Sequence, residues 1–419
     1  MKLMVIGGGA REHTLVWKLS RSKKVKEVYV APGNAGTAQI AKNLDISPTN
    51  LDALAGAAKD NKIDLVVVGP EAPLAAGIVD RLQSLGIPAF GPTREAALIE
   101  SSKVFAKRLM NKYGIPCAKD AVFTSFKEAE AYVKKQPIPV VIKADGLAAG
   151  KGAIVAQSMD EALRALSDIM KKRVFADAGN QVLVEECLVG RETSLLAFSD
   201  GATIVPMVTA RDYKRANDYD QGPNTGGMGC YSPSIFLDRE SRDEAVKTIL
   251  EPVVKAMARE GKPYKGVLYA GLMLTLEGPK VMEFNARFGD PETQVQFPLL
   301  KSDLVDIRLA VIDGKLAKTK VEWNDGACVG VVMASGGYPG SYKQGYPITG
   351  LDKVAKDILI FHAGTKAAGG KVYTAGGRVL TVVATGKTIA ETREKVYLNL
   401  PSISFDNCHY RKDIAAEEG

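Results

Sequence analysis

Apolar positions fall in short blocks separated by glycine or proline, and the spacing inside the blocks changes along the chain. In "KLMVIGGGAREHTLVWKLS" an apolar run leads through a glycine loop into apolar positions at helical spacing. "EVYVAPGN", "DLVVVGPEAPL" and "IPAFGPT" read as strands running straight into Gly/Pro loops, with the helical pattern "LDALAGAAKD" among them. Alternating strands and helices over residues 1–100 predict a doubly wound parallel sheet, with ligands at the carboxyl ends of its strands. From "ESSKVFAKRLMNKYGIP" the order changes. A helix is followed by two apolar strands around a glycine loop, "PIPVVIKADGLAAGKGAIVA", then by the helix "MDEALRALSDIM" and the strand "QVLVEECLVG". Residues 211–229, "RDYKRANDYDQGPNTGGMG", show no apolar period and read as a long loop, functional or disordered. Past about residue 320, strand-like runs alternate with turns and one helix, "TIAETREKVYLNL", which predicts a small α+β domain. The resulting division is 1–100, 101–320 with a smaller subdomain at about 121–190, and 321–419.

One stretch breaks the rule that sheets bury apolar faces. In "VMEFNARFGDPETQ", strand alternation puts Glu283, Asn285 and Arg287 on one face and Met282, Phe284 and Ala286 on the other. The upstream "LYAGLMLTLEGPK" reads as the partner strand, turning at Gly-Pro. Glu283 and Asn285 offer two oxygens side by side, which suits Mg²⁺ shared with substrate phosphates. Arg287 can grip a phosphate through two donors. A purely structural Glu–Arg pair is the poorer account, because burying two charges costs several kcal/mol per ion.

Composition narrows the chemistry. The net charge of +7 (55 basic, 48 acidic residues in 419) is spread along the chain and suits anionic small molecules at least as well as nucleic acid. Five cysteines without a C-x-x-C pair argue for a reducing compartment, and three scattered histidines argue against a His-rich zinc site. The first apolar run is too short for a signal-peptide core and no run reaches membrane-spanning length, so a cytoplasmic protein without membrane contact is expected.

Three glycine-rich or acidic motifs remain. In "GGGAREH", Gly7 and Gly9 fit a dinucleotide fingerprint but Glu12 stands at its third glycine, so the loop is either a phosphate cradle or a tight turn. "KADGLAAGKGA" places Lys143 at a strand end and Lys151 between Gly150 and Gly152, small residues that let backbone wrap phosphates. It is not a P-loop, because Gly152 stands where Ser or Thr is required; the alternative is a surface hairpin with solvated lysines. "VEECLVGRE" sets Glu185 and Glu186 at a strand end with Glu192 beyond; alone it is a solvated terminus, but beside the lysine hairpin it could hold adenine and ribose.

Together these features resemble the ATP-grasp superfamily. "GGGAREH", "APGN", "GPEAPLAAG", "ESSKVFAKRLM", "KADGLAAGKG", "DYKRANDYDQGPNTGGMG", "YAGLMLT", "EFNARFGDPETQ" and "YRKDI" resemble, in order and over residues 1 to about 414, the phosphoribosylamine–glycine ligase family. The resemblance implies a central ATP-grasp domain with a small lid and a barrel-like C-terminal domain. It implies a ligase of purine synthesis that joins glycine to 5-phosphoribosylamine through a glycyl phosphate, with ATP as co-substrate and Mg²⁺ or Mn²⁺ as cofactor. It further implies Lys103, Lys143 and the loop of Gly150, Lys151 and Gly152 on the ATP phosphates, Glu185, Glu186 and Leu188 at the adenine, and Glu192 on the ribose. Glu283 and Asn285 would hold metal and Arg287 the transferring phosphoryl group. Gly7, Gly9 and Arg11 would take the sugar phosphate, and Asp212, Lys214, Gly226 and Gly227 glycine and the amine. Many superfamily members carry an acidic metal ligand where this chain has Gly271. The rivals are another ATP-grasp carboxylate–amine ligase, a nicotinamide-dependent oxidoreductase resting on the N-terminal glycines, and a nucleic-acid binder. A monomer or weak homo-oligomer is expected.

Overall fold

The computed structural model describes residues 1–147 and 152–416. Its first sheet is wholly parallel. Strands β1 (Lys2–Gly7), β2 (Glu27–Pro32), β3 (Lys42–Asn43), β4 (Leu65–Val68) and β5 (Ala89–Phe90) lie in the order β3-β2-β1-β4-β5. Leu3–Ile6 and Leu65–Val68 are unbroken apolar runs because helices cover both faces of this sheet. The chain leaves β1 through Gly7, whose φ of +122° only glycine tolerates well and where a Cβ would lie 2.5 Å from Glu12 Cγ. Helix Ala10–Leu19 follows at once.

The next sheet has its own core. Strands β6 (Asp120–Phe123), β7 (Val140–Ala144), β8 (Ala153–Ala156) and β9 (Val182–Glu186) pair in the order β6-β9-β7-β8. Val133, Ile142, Leu166 and Val184 pack with their neighbours into a cluster separate from the main core.

The central sheet is antiparallel, with strands β10 (Arg191–Asp200) and β11 (Ile204–Pro206) on one side. Two short hairpin strands, β13 (Arg215–Asn217) and β14 (Gln221–Asn224), lie between β12 (Arg211–Asp212) and β15 (Gly229–Ser232), so residues 211–229 are not a structureless loop. Polar strands without alternation carry no periodic signal, which is why the sequence hides them. Strands β16 (Lys265–Thr275) and β17 (Gly278–Asn285) complete the central sheet in the order β11-β10-β16-β17. They turn at Leu276–Glu277, and Gly278 and Pro279 already belong to β17. The alternation expected along β17 is also interrupted. Gly271 pairs with Glu283 but Leu272 pairs with Val281, so Met282 is an extra residue in a bulge and lines the same cavity as Glu283.

The last sheet reaches back into the middle of the chain. Strand β18 (Ala327–Ser335) pairs with β15, and β23 (Arg378–Gly386) lies between β18 and β20 (Leu359–His362), giving the order β12-β15-β18-β23-β20. Strand β24 (Cys408–His409) adds to β18, while β19 (Pro347–Ile348), β21 (Thr365–Ala368) and β22 (Lys371–Thr374) form a separate three-stranded flap. A polar joint fixes this region to the first sheet. The His362 N–H donates to His13 Nδ1 (2.9 Å) and the Asn34 side chain donates to the His362 carbonyl (2.7 Å) and the Gly8 carbonyl (2.9 Å). Burial, with the neighbouring His362 adding to it, lowers the pKa of His13 to about 3, and burial lowers that of His362 to about 4. Among the described residues, no helix is long and apolar enough to cross a membrane and the cysteines are free thiols.

Candidate active site

All of these parts converge on one cavity of about 1350 Å³. On the side of the small sheet it is lined by Lys103, Lys143, Glu185, Glu186 and Leu188; Glu283, Asn285 and Arg287 form another wall. Glu192, Asp212, Lys214, Gly226 and Arg11 line the remainder. Gly7, Gly9, Gly152 and Gly227 are not among the lining residues, and Gly150 and Lys151 lie outside the described residues.

At the end of β7, Lys143 sits 2.7 Å from Glu185 Oε2 and donates to the Met282 carbonyl at 2.9 Å. Lys107, which the sequence did not flag, approaches Glu185 Oε1 at 3.2 Å, so Glu185 is clamped between two ammonium groups at 4% exposure. The signal was its position four residues after Lys103, on the same helix face. Glu186 points elsewhere: its carboxylate accepts from the Lys119 N–H at 2.9 Å. Lys103 donates to the Gly146 carbonyl (2.9 Å), and burial lowers its pKa while Glu283 works against that shift. Asp145 accepts from the Val104 N–H and the Ser102 hydroxyl, both at 3.1 Å, tying the start of the glycine loop to the N-terminus of helix Lys103–Tyr113.

The Glu-x-Asn-x-Arg row is held in place by acids from other segments. Arg287 reaches Glu71 at 3.3 Å, Glu100 at 3.1 Å and the Asn285 side-chain oxygen at 3.1 Å. Burial opposes its charge, but Glu100 and Glu71 more than offset this and raise its pKa. Burial raises the pKa of Glu100, which also accepts from the Ala286 N–H at 2.7 Å. Glu283 is different. Burial works against its charge, yet Lys214, Lys143, Lys103 and Arg287 together hold its pKa below the usual carboxylate value. Its carboxylate makes no hydrogen bond or ion pair among the described residues, and Gly271 opposite leaves it room, since a Cβ there would lie 3.3 Å from Glu283 Cγ. An ionised carboxylate beside an amide oxygen fits a hard divalent cation that takes its other ligands from phosphate and water. No group of three or more His, Cys, Asp or Glu side chains forms a self-sufficient cage among the described residues.

On the far side, Glu12 corrects the reading of the N-terminal glycines. Its Oε2 accepts from the Gly9 N–H (2.6 Å) and its Oε1 from Arg11 Nε (2.5 Å), so a carboxylate already caps the helix N-terminus. Of that loop, Arg11 is what reaches the cavity, its guanidinium also donating to the Phe288 carbonyl at 3.2 Å. Arg378, from β23, donates to the Gly226 and Asp290 carbonyls (2.5 and 3.0 Å) and lies 3.3 Å from the Asp290 carboxylate. The Tyr338 hydroxyl accepts from the Gly226 N–H at 2.9 Å. Gly227 is required by its surroundings, since its φ is +110° and a Cβ there would meet Pro291 at 2.4 Å, while a Cβ at Gly226 would lie 3.0 Å from the Arg378 guanidinium carbon. Lys214 lies 3.5 Å from Glu192, and Asp212 above all raises its pKa. Burial pushes the Asp212 carboxyl up to about 7, against the pull of Lys214.

Comparison with known proteins covers nearly the whole chain. Residues 1–100, 101–293 and 328–417 match the phosphoribosylglycinamide synthetase N domain, ATP-grasp (A) domain and C domain. The chain is 51% identical to a phosphoribosylamine–glycine ligase of Caldanaerobacter subterraneus, over 99% of this chain and 100% of that one. It is similar to the crystal structure of the Thermotoga maritima phosphoribosylamine–glycine ligase, with a TM-score of 0.88, 34% identity and coverage of 99% and 100%. It also shares its fold with the biotin carboxylase domain of the Hydrogenobacter thermophilus 2-oxoglutarate carboxylase (TM-score 0.75, 15% identity, coverage 97% and 91%), a likeness of architecture alone.

Proposed function

The chain belongs to the phosphoribosylglycinamide synthetase family, and from that premise we propose how its own residues carry out the family's ligation. It is an ATP-dependent ligase of purine biosynthesis that joins glycine to 5-phosphoribosylamine, giving glycinamide ribonucleotide, ADP and phosphate. In the proposed route a glycine carboxylate oxygen takes the γ-phosphoryl group of ATP. The amine then attacks the acyl carbon of glycyl phosphate, phosphate leaves with the bonding electrons, and the amine loses a proton. The observation that supports this most is the opening of Glu283, Asn285 and Arg287 onto the same cavity as Lys103 and Lys143.

Phosphoryl transfer calls for positioning and charge neutralisation rather than a protein nucleophile. Lys103 and Lys143 neutralise the phosphates, and Arg287, aimed by Glu71 and Glu100, stabilises the group in transit. Mg²⁺ or Mn²⁺ bound at Glu283 and Asn285 would supply further neutralisation of phosphate charge. The loop of Gly150, Lys151 and Gly152 would exclude water that otherwise hydrolyses the acyl phosphate. Glu185, Glu186 and Leu188 border the adenine and Glu192 the ribose. Asp212, Lys214 and Gly226 face glycine and the amine, and Arg11 with Arg378 the sugar phosphate. We place the enzyme in the cytoplasm as a monomer or weak homo-oligomer, acting on small molecules and not on nucleic acid. Coupled ADP release, with Mg-ATP, glycine or freshly generated phosphoribosylamine omitted in turn, tests the assignment. ADP appears only with all three present, and the product has the mass of glycinamide ribonucleotide. ADP formed without glycine, or with another acid instead, overturns the substrate assignment.

A further inference from the structure

The string "YRKDI", residues 410–414, lies outside the lining of the central cavity. It is tied instead to the β13–β14 hairpin. Arg411 is 1% exposed, and every nitrogen of its guanidinium donates. Nε and Nη2 bond the two carboxylate oxygens of Asp413 (2.7 and 2.6 Å), while Nη1 bonds Asp220 Oδ1 (2.8 Å) and the Arg215 carbonyl (3.1 Å). Asp413, aimed in this way, accepts from the Tyr219 N–H at 2.7 Å, and the Lys412 N–H donates to Asp218 Oδ1 at 2.7 Å. Three consecutive residues near the end of the chain thus hold the three consecutive residues that join β13 to β14.

That turn is strained. Tyr219 (φ +57°) and Asp220 (φ +53°) both occupy the left-handed region, which a side chain with a Cβ disfavours and a bulky one most of all. The Tyr219 ring is 83% exposed, so its own packing does little to offset the strain. Such backbone persists only where its surroundings over-determine it, and it clusters at functional loops. The other end of the hairpin opens on the cavity, where Lys214, Asn224 and Thr225 are lining residues. The Lys214 carbonyl accepts from the Thr225 N–H (2.7 Å) and the Thr225 hydroxyl (2.8 Å), which closes the base of the hairpin at Lys214. A two-stranded hairpin is marginal in water by itself, so the place of Lys214 depends on what fastens the turn.

Resting on the ligase reading above, we infer that Arg411 is a positioning residue for the reaction. Through Asp413 and Asp220 it fixes the strained turn, and through the hairpin it sets Lys214 on the side of the cavity that faces glycine and the amine. The planar fork is what this position requires. Lysine would keep the charge but could not bond both oxygens of Asp413 in parallel while reaching Asp220.

Two variants test this, both at residues outside the cavity lining: Arg411→Lys removes the fork, and Asp218→Ala removes the bond to Lys412. The full chain is assayed for the KM of glycine and of phosphoribosylamine, for affinity towards a non-hydrolysable ATP analogue, and for hydrogen exchange within residues 215–224. In Arg411→Lys the KM for glycine or phosphoribosylamine should rise at least about tenfold, with ATP-analogue affinity within about twofold of wild type. Exchange should quicken within 215–224 and stay unchanged in β16. Asp218→Ala, a half-buried position that leaves Arg411 in place, should show the same split at about threefold, and it decides the matter should Arg411→Lys not fold. A residue that serves stability alone would lower the folded fraction, and with it kcat, while leaving KM as it was. Both KM values within about twofold of wild type therefore overturn the inference. So does ATP-analogue affinity that falls in step with them, or unchanged exchange within 215–224. If the wild-type enzyme makes no amide from glycine and phosphoribosylamine, the ligase reading itself fails, and the exchange measurement still decides whether Arg411 holds the hairpin.

Discussion

Mild acid should loosen the joint between the first sheet and the C-terminal sheet. His13 Nδ1 accepts the His362 N–H at 2.9 Å, which requires that nitrogen to be unprotonated. The folded-state pKa values are about 3 for His13 and about 4 for His362, both lowered chiefly by burial. A solvated histidine titrates near 6.5. The folded state therefore binds fewer protons than the unfolded one between these limits, and stability present above pH 6.5 is lost as pH falls towards 3 to 4. From pH 7.5 to pH 5, each imidazole costs about 2 kcal/mol, or about 4 kcal/mol together, at 1.36 kcal/mol per pKa unit. Trp17 provides a local probe, its ring 5.6 Å from Phe361 beside this joint. Urea titrations followed by tryptophan fluorescence at pH 7.5 and pH 5 should show that loss in wild type. His13→Asn keeps an acceptor near the position of Nδ1 but cannot titrate, so its loss should be about 2 kcal/mol. An unchanged wild-type midpoint, or a His13→Asn pH dependence equal to wild type, refutes the reasoning.

Glu283→Gln should leave the fold intact and lower turnover about 10²-fold or more, since a metal-borne stabilisation of several kcal/mol loses a ligand; a near wild-type rate removes Glu283 from the metal site. Lys214→Ala should raise the KM for glycine or phosphoribosylamine about tenfold while leaving that for ATP within about twofold. Equal losses for both would count against a substrate-side role. Gly69→Ala would place a Cβ 2.1 Å from Glu12 Oε1 and should destabilise the protein by about 1–3 kcal/mol, read as a lower thermal midpoint. An unshifted midpoint would mean Glu12 has room to move.

The parts legible in the sequence are those decided by local chemistry. Buried parallel strands show as apolar runs, tight turns as glycine, and a row of polar side chains in an otherwise apolar hairpin as a site. Pairing is not local, and there the sequence was silent. The bulge that turns Met282 into the cavity falls between the pairings of Gly271 and Leu272 on the other strand, and the hairpin within residues 211–229 lacks any periodic signal. Glu12 was seen as a failed glycine, whereas it is the carboxylate that closes the helix end. Glu71, Glu100 and Arg378 come from segments remote in sequence from the partners they hold, so spacing could not reveal them, whereas Lys107 had its one signal in the helical spacing from Lys103.

The sharing of one sheet between residues 211–232 and the C-terminal strands sets a timetable for the growing chain. Strand β15 has its inner-edge partner in Ala327–Ser335, and that strand is flanked in turn by Arg378–Gly386. The ribosome releases the residues proposed to cradle the nucleotide before the strands that fasten the proposed substrate loop. A nascent chain halted before residue 327 would bind ATP without a completed acceptor side, and a fragment ending there should bind nucleotide yet form no amide. On the proposed site, catalytic competence arrives late in synthesis, after the residues proposed to handle phosphate.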